Sequence, residues 1–249
     1  MNRIRQEHIK DYVESKNIAT IKELQELFPD VSLMTLHRDL NVLEEMGVIT
    51  KYRGGVRSVR QPNEAEFNIR LKENNAGKIS MMKKAMHLLH PQASIFLDAS
   101  TTNLILARNL PDIGLNITTN SPNIALELCR LKNSTVNLCG GTMNPRTLSV
   151  SGPHTLSVLE NINIDLAFIG VSGCTALAGF TCGTEADMMI KGLVIKKART
   201  SVVLCAADKF RRLMPFTFAG LSDVDYVISD GTLPKDFVDK CVESGVKIL

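Results

Sequence analysis

Seven short apolar runs, all after residue 92, constrain the fold of this chain more than any other feature. Each run is short enough to be a strand, several are apolar throughout, and helical patterns separate most of them. Such runs are typical of a parallel sheet whose two faces are covered by helices. The pattern predicts a parallel α/β domain with strands in residues 93–98, 115–120, 135–140, 164–170, 201–206, 225–229 and 246–249.

The first part of the chain shows helical periodicity instead. A first helix is predicted over residues 4–16, with Ile9, Tyr12 and Val13 on one side. Residues 20–23 have the capping-box form that starts a second, short helix, and this helix is expected to end before Pro29.

A third helix and a basic hairpin follow. The helix is expected to begin after a cap at Ser32 and to end at Gly47, which would adopt the left-handed conformation. Three helices and a two-stranded hairpin form a winged helix-turn-helix, which reads DNA with its third helix. A helical wheel places Leu33, Leu36, Leu40 and Leu43 on one side and Met34, Arg38, Asn41 and Glu45 on the other.

The charge distribution supports this interpretation, although a net charge of +3 is too small to indicate nucleic-acid binding alone. Residues 1–50 contain six basic and nine acidic residues, whereas residues 51–60 contain Lys51, Arg53, Arg57 and Arg60 and no acid. Cations on one projecting hairpin are suited to phosphate contacts. The predicted DNA-binding residues are Ser32, Met34, Thr35, His37, Arg38, Asn41, Lys51, Arg53 and Arg57. The alternative is that these residues form the ordinary exposed face of a packed helix. That alternative explains each residue singly, but it explains three helices followed by a basic two-stranded wing less well.

Small hydroxyl residues, glycines and a lysine follow the predicted strands. Parallel sheets bind ligands beyond the carboxyl ends of their strands, and helix N-termini there attract anions. Lysine adds a cation, and a carboxylate can accept hydrogen bonds from sugar hydroxyls. We therefore predict a phosphorylated-sugar site formed by Asp98, Ser100, Thr101, Thr102, Asn120, Gly140, Gly141, Gly170, Ser172, Gly173, Glu185 and Lys209. Helix capping and tight turns are the alternative explanation for any one of these loops.

Several other classes of protein are disfavoured. The chain has neither a Walker A loop nor a full dinucleotide fingerprint, so no cofactor is expected. Its six cysteines form no CxxC pair and are interpreted as reduced core thiols, while His87 and His90 lack further ligands for a metal. No apolar stretch approaches the roughly 20 residues of a membrane span, and the first residues lack a signal sequence's apolar core. A cytoplasmic location is expected.

Residues 31–56 resemble the signature of the DeoR family of bacterial transcriptional regulators. That signature is a helix of the form S-x-x-T-x-x-R-D-L, an L-x-x-x-G turn and a wing ending in Gly-Gly. The family usually has a second arginine where this chain has His37. The matching residues are Ser32, Thr35, Arg38, Asp39, Leu40, Leu43, Gly47, Gly54 and Gly55.

The rest of the chain resembles the DeoR sensor domain, which is related to ribose-5-phosphate isomerase. Two positions depart from the family pattern, because Ser100 replaces a glycine and Ala206 replaces an aspartate three residues before the lysine. The matching residues are Asp98, Thr101, Thr102, Thr119, Asn120, Gly140, Gly141, Gly170, Ser172, Gly173, Lys209 and Phe210.

The resemblance implies a winged helix-turn-helix over residues 1–60 and a Rossmann-like sensor over residues 61–249. A helix over residues 78–89 is expected to cover the sheet or join protomers through Ile79, Met82, Met86 and Leu89. The expected function is transcriptional regulation, most simply repression of sugar-metabolism genes by a homodimer or homotetramer that leaves operator DNA when a phosphorylated sugar binds. The alternative is a sugar-phosphate isomerase that uses Asp98 or Glu185 with Lys209.

Overall fold

The computed structural model of the protein describes residues 2–16, 18–46, 48–58 and 66–249. Its contacts divide the chain into two compact units, Met1–Asn63 and Glu64–Leu249. We call these the head and the sensor. The predicted helix end at Gly47, the wing residue Arg60 and the predicted boundary at residue 60 lie outside the described residues.

The head is a winged helix-turn-helix, as predicted. Its strands form one antiparallel sheet in the order β1-β3-β2, so the wing has a third strand that the sequence did not indicate. This strand has only three residues, too few for an alternating pattern to be detected. The elements are α1 (Asn2–Lys16), β1 (Ile18–Thr20), α2 (Ile21–Leu27), α3 (Leu33–Glu45), β2 (Ile49–Tyr52) and β3 (Gly55–Ser58).

Both predicted helix caps in the head are confirmed. Thr20 and Glu23 form a complete capping box at the start of α2, and the Ser32 hydroxyl accepts the Thr35 N–H at the start of α3. The predicted apolar face of α3 is wrong at one position, because Leu33 is 46% exposed. Leu33 is the first residue of α3, and the helix packs on the head's core only from its second turn onward. The buried core residues are Ile9, Val13, Ala19, Leu24, Leu36, Leu40, Leu43, Ile49 and Val56.

The sensor is built on a seven-stranded sheet in the order β15-β14-β12-β9-β4-β5-β6, and every pairing in it is parallel. All seven predicted apolar runs form its strands, so the predicted α/β fold is confirmed. The strands are β4 (Ser94–Leu97), β5 (Asn116–Thr119), β6 (Thr135–Leu138), β9 (Ile164–Gly170), β12 (Ala198–Leu204), β14 (Tyr226–Ile228) and β15 (Lys247–Ile248).

Helices cover both faces of this sheet. Alternate residues of one strand point to opposite sides, so that Ala167 and Ile169 join one core cluster while Leu166 and Phe168 join another. The helices are α4 (Phe67–Lys72), α5 (Asn75–Met86), α6 (Thr101–Asn109), α7 (Pro122–Leu128), α8 (Pro153–Glu160), α9 (Glu185–Lys197) and α10 (Lys235–Glu243).

Two smaller sheets were not predicted. A hairpin pairs β7 (Thr142–Asn144) with β8 (Ser149–Ser151), and an antiparallel sheet joins β10 (Gly173–Thr175), β11 (Gly179–Cys182) and β13 (Phe216–Ala219). Each strand has only three or four residues, so its pattern resembles that of a loop.

The predicted face of the helix after the linker is wrong in part. Helix α5 begins and ends three residues earlier than predicted, and Ile79, Met86 and Leu89 are only partly buried. Met81 and Ala85 are the fully buried residues instead. Lys78 is buried on the same face, and an apolar pattern does not predict a lysine there.

The cysteines are free thiols. Five are buried, as the interpretation of core thiols requires, but Cys129 is exposed at the end of α7 and contradicts that interpretation. Burial raises the pKa of the Cys139 and Cys241 thiols to about 11. In the described part of the chain, no helix is long and apolar enough to cross a membrane.

Candidate functional site

The predicted DNA-reading residues form the outer face of α3. Met34, His37, Arg38 and Asn41 are all exposed. At the start of the helix the hydroxyls of Ser32 and Thr35 lie 2.9 Å apart and bond to each other. Those two residues therefore cap the helix in addition to any contact that they make with phosphate.

Asp39 fixes α3 on α1. It is 2% exposed, and its carboxylate accepts from Arg5 Nε at 2.5 Å and from Gln6 Nε2 at 2.9 Å. Because Asp39 is buried and paired with α1, it holds α3 in place. The predicted DNA-reading face lies on the other side of α3. Sequence reasoning included Asp39 in the motif without giving it a role.

Lys51 joins the wing to α3. Its ammonium lies 3.2 Å from Glu44 Oε2 and also donates to Asn41 Oδ1. The Lys51 backbone N–H donates to Glu44 Oε1, and this bond is the main cause that lowers the pKa of Glu44. The charge of Lys51 is thus shared with a carboxylate, whereas Arg53 and Arg57 are exposed on the wing.

The two glycines of the wing are required by its tight turn. Gly54 has φ +98°, a left-handed conformation that other residues rarely adopt. At Gly55 a Cβ atom would lie 2.6 Å from the Tyr52 hydroxyl and would also strike the Ala19 carbonyl oxygen. The Gly-Gly pair thus allows the turn to form and the hairpin to pack closely against β1.

In the sensor, a cavity of about 320 Å³ opens at the carboxyl ends of β4, β9 and β12. We call it the main chamber. It is lined by Arg70, Glu73, Asn74, Lys78, Ser100, Thr101, Thr102, Gly170, Val171, Ser172, Leu204, Ala206, Asp208, Lys209 and Arg212.

A smaller pocket of about 30 Å³ shares five lining residues with the main chamber. We call it the extension. It is lined by Arg70, Asp98, Ala99, Ser100, Asn120, Thr147, Ser149, Gly170, Val171, Ser172, Asp187, Ile190 and Lys191.

The structure brings eight of the twelve predicted effector residues to these pockets. They are Asp98, Ser100, Thr101, Thr102, Asn120, Gly170, Ser172 and Lys209.

The other four predicted effector residues are not among the lining residues, and each has a structural role or position. Gly141 has φ +142°, and a Cβ there would lie 2.6 Å from Thr155 Oγ1, the group that donates to the Gly140 carbonyl. At Gly173 a Cβ would strike the Arg212 carbonyl. Glu185 is exposed in the first turn of α9.

Asp98 is a hydrogen-bonding centre of the loop after β4. Its Oδ2 lies 3.1 Å from Lys191 Nζ and accepts the Gly170 N–H at 3.0 Å. Its Oδ1 accepts from Asn103 Nδ2 at 2.7 Å and from the Ser100 N–H at 3.2 Å. Four donors contact this 2% exposed carboxylate, so it holds the loop in place, and its predicted contact with sugar hydroxyls stays a prediction.

Cations line the main chamber, and sequence reasoning identified only Lys209 among them. Lys78 is 6% exposed and donates to the backbone carbonyls of Glu73, Leu71 and Arg70 at the end of α4. Burial is the main cause that lowers the pKa of Lys78. The other basic residues of the chamber are Arg70 on α4, Lys78 on α5 and Arg212 in the loop after β12. The one sign of them in the sequence was a lysine on the inner face of α5.

Three polar atoms in the walls have no hydrogen-bond partner among the described residues. They are Asn120 Oδ1, Ser172 Oγ and Arg212 Nε. Buried polar groups are nearly always hydrogen-bonded, so such atoms at a cavity are available to a molecule that enters it. The arrangement as a whole offers cations, helical N–H groups and unsatisfied polar atoms to an anion that also carries polar groups.

Two family models match the chain. The DeoR-like helix-turn-helix domain matches residues 5–62, and the DeoR C terminal sensor domain matches residues 73–231. The chain belongs to the DeoR family. Its similarity to the HTH-type transcriptional regulator GlpR of Haloferax volcanii is 33% identity over 88% of this chain and 86% of that protein. The L-fucose operon activator of Escherichia coli is 30% identical over 92% of this chain and 96% of that protein.

These two relatives are named as an HTH-type transcriptional regulator and an operon activator. The chain is a DNA-binding transcriptional regulator of this family. Among solved structures, ribose 5-phosphate isomerase A from Methanocaldococcus jannaschii matches with a TM-score of 0.39 and 16% identity over 53% of each chain.

One departure from the DeoR sensor pattern has a structural explanation. Ser100 has φ −90°, which needs no glycine, and its hydroxyl caps α6 by accepting the Asn103 N–H at 3.1 Å. Ser100 packs closely against Gly170, and it is at Gly170 that a side chain does not fit, because a Cβ there would lie 2.7 Å from Ser100 Oγ. At the second departure, Ala206 lines the main chamber and Asp208 supplies the carboxylate beside Lys209, at 2.7 Å.

Proposed function

We propose that this DeoR-family regulator is a repressor of sugar-metabolism genes, and that a phosphorylated sugar bound in the main chamber releases it from operator DNA. The supporting observation is the set of four basic side chains around one chamber, Arg70, Lys78, Lys209 and Arg212. The first two N–H groups of α6, those of Thr101 and Thr102, have no acceptor within the helix, so they add further donors for an anion.

The size and polarity of the chamber support a small phosphorylated ligand. Its volume of about 320 Å³ is near the lower end for ligand pockets. Arginine and lysine bind phosphate by charge-assisted hydrogen bonds, which are stronger than neutral ones. We further propose that two or more copies assemble through the sensor, since one head covers only one half-site, and that the protein acts on DNA in the cytoplasm.

Neither base named for the isomerase alternative is suited to that role. Asp98 is occupied by four donors, and Glu185 is exposed away from the chamber. A general base must reach the substrate's proton within hydrogen-bond distance. Sustained conversion of aldose phosphates to ketose phosphates by the purified protein would nevertheless favour the enzyme.

A thermal-shift screen tests the proposed effector class. A ligand that binds only the folded state raises the melting temperature by mass action. We expect phosphorylated sugars to raise it and the corresponding free sugars to leave it unchanged. The sugar phosphate found in the screen is then titrated into the complex of the protein with operator DNA. Release of the protein from DNA supports repression, whereas tighter binding of the protein to DNA would support activation instead.

Lys209→Ala is expected to give a protein that binds its operator but resists the effector. Loss of a charge-assisted contact to phosphate costs about 1.5–3 kcal/mol of binding free energy. The measurement is operator release titrated with the sugar phosphate found in the screen. Lys240→Ala is the matched control, since Lys240 also pairs with a nearby carboxylate but lies on α10 outside the chamber. Release at the same effector concentration in the Lys209 variant and the parent would place the phosphate elsewhere.

Arg38→Ala is expected to weaken operator binding by about 1–3 kcal/mol per site, because arginine reads guanine edges in the major groove. Gel shifts at fixed salt measure the effect, and the sensor's melting temperature should not change. Arg53→Ala serves for comparison. A wing contact to phosphate should lower affinity for all sequences alike and flatten the salt dependence. Parent-like operator affinity would remove Arg38 from the reading face.

A further inference from the structure

The extension of the cavity differs in charge from the main chamber. Four basic and two acidic side chains line the main chamber, whereas two of each line the extension. In the extension, the carboxylate of Asp98 already pairs with the ammonium of Lys191. An anionic group is therefore attracted to the main chamber, and the extension is suited to a neutral polar group.

Two unsatisfied buried atoms in the extension specify that neutral group. Asn120 is 2% exposed and Ser172 is 4% exposed, and Asn120 Oδ1 and Ser172 Oγ lack partners within the described ranges. Asn120 Nδ2 donates to the Val150 carbonyl at 3.1 Å, so its oxygen is the free end of the amide. An amide oxygen only accepts, whereas a hydroxyl such as that of Ser172 can donate or accept. A ligand hydroxyl can satisfy both atoms, but a carboxylate or a phosphate dianion has no hydrogen to donate to Asn120.

The size of the extension limits what can enter it. About 30 Å³ has room for roughly one or two water-sized groups, too little for a phosphate with its oxygens. We propose, resting on the function proposed above, that the extension is a hydroxyl-recognition subsite. The effector is a sugar or polyol monophosphate whose phosphate lies among the cations of the main chamber and whose distal hydroxyl bonds Asn120 and Ser172.

Ser172→Ala tests the subsite. The Ser172 hydroxyl has no partner in the described part of the free protein, so its loss should leave the ligand-free melting temperature unchanged or slightly raised. Affinity for a sugar phosphate should fall about 3- to 10-fold, the loss expected for one hydrogen bond. Ser172 also lines the main chamber, so the phosphate comparison uses Asn120→Ala, because Asn120 lines only the extension: affinity for the sugar phosphate should fall and affinity for inorganic phosphate should stay unchanged. The sugar probe is the tightest binder among glycerol 3-phosphate, ribose 5-phosphate and fructose 6-phosphate, by titration calorimetry.

Ser229→Ala is the matched control. Ser229 is also a buried serine whose hydroxyl lacks a partner among the described residues, but it does not line the cavity. Its variant should bind both probes like the parent. The subsite is overturned if the two serine variants behave alike, or if Asn120→Ala loses affinity for inorganic phosphate as well. A parent protein that binds neither phosphate nor any sugar phosphate would contradict the effector class itself, and with it the subsite.

Discussion

Asp98→Ala is expected to lower the free energy of unfolding of the ligand-free protein by about 3–5 kcal/mol. The substitution removes the carboxylate that pairs with the buried ammonium of Lys191, and the Gly170 N–H, the Ser100 N–H and the Asn103 amide each lose one acceptor. For a unit of this size the melting temperature should fall by roughly 6–20 °C.

Thermal unfolding monitored by circular dichroism without ligand measures this effect. Asp236→Ala is the control, because Asp236 is exposed and its nearest cation, in Arg211, is 4.0 Å away. Adding Lys191→Met to the Asp98 variant should recover part of the lost stability, since the buried ammonium that Asp98 neutralises is then removed. A parent-like melting temperature combined with lost effector binding would show that the carboxylate serves the ligand instead.

Asp39→Ala is expected to unfold or loosen the head and so to abolish operator binding at 37 °C. The substitution removes the buried carboxylate that both the Arg5 guanidinium, whose side chain is 15% exposed, and the Gln6 amide contact. Breaking a buried ion pair from one side costs about 3–5 kcal/mol, a large fraction of the stability of so small a unit.

Gel shifts and limited proteolysis of the full chain measure this loss. Asp30→Ala controls for the removal of a carboxylate, since Asp30 is exposed between α2 and α3. Arg5→Ala combined with Asp39→Ala should be less destabilising than the sum of the two single variants, which isolates the pair. Full operator affinity in Asp39→Ala at 37 °C would show that this ion pair does not hold the reading helix.

Both carboxylates show what sequence alone could and could not reveal. The motifs contain Asp39 and Asp98, but their partners Arg5 and Lys191 are distant in sequence, so the pairing follows only from the fold. The central strands β4, β9 and β12 were predictable because a continuous apolar run indicates a strand that is buried on both faces of a sheet. The caps at Thr20 and Ser32 were predictable because a cap is a local interaction.

The candidate site was predictable only where it follows a strand. Ser100, Thr101 and Ser172 could be found because the carboxyl ends of parallel strands meet at one edge. Arg70 and Lys78 could not, since they reach the chamber from helices before the first strand of the sheet. Glycine motifs were ambiguous because glycine is needed in two different situations. A close packing contact with another backbone and a close contact with a ligand both require a residue without a side chain.

The position of α4 has a practical consequence for dissecting the protein. The family's sensor match begins at residue 73, but Arg70 on α4 lines both pockets, and the end of α4 supplies carbonyls to the Lys78 ammonium. A sensor fragment cut at the family border would lose one cation of the chamber and leave another buried with fewer acceptors. A fragment that begins before Phe67 keeps the wall of the chamber whole. Effector affinities measured on the shorter fragment would therefore underestimate those of the intact regulator.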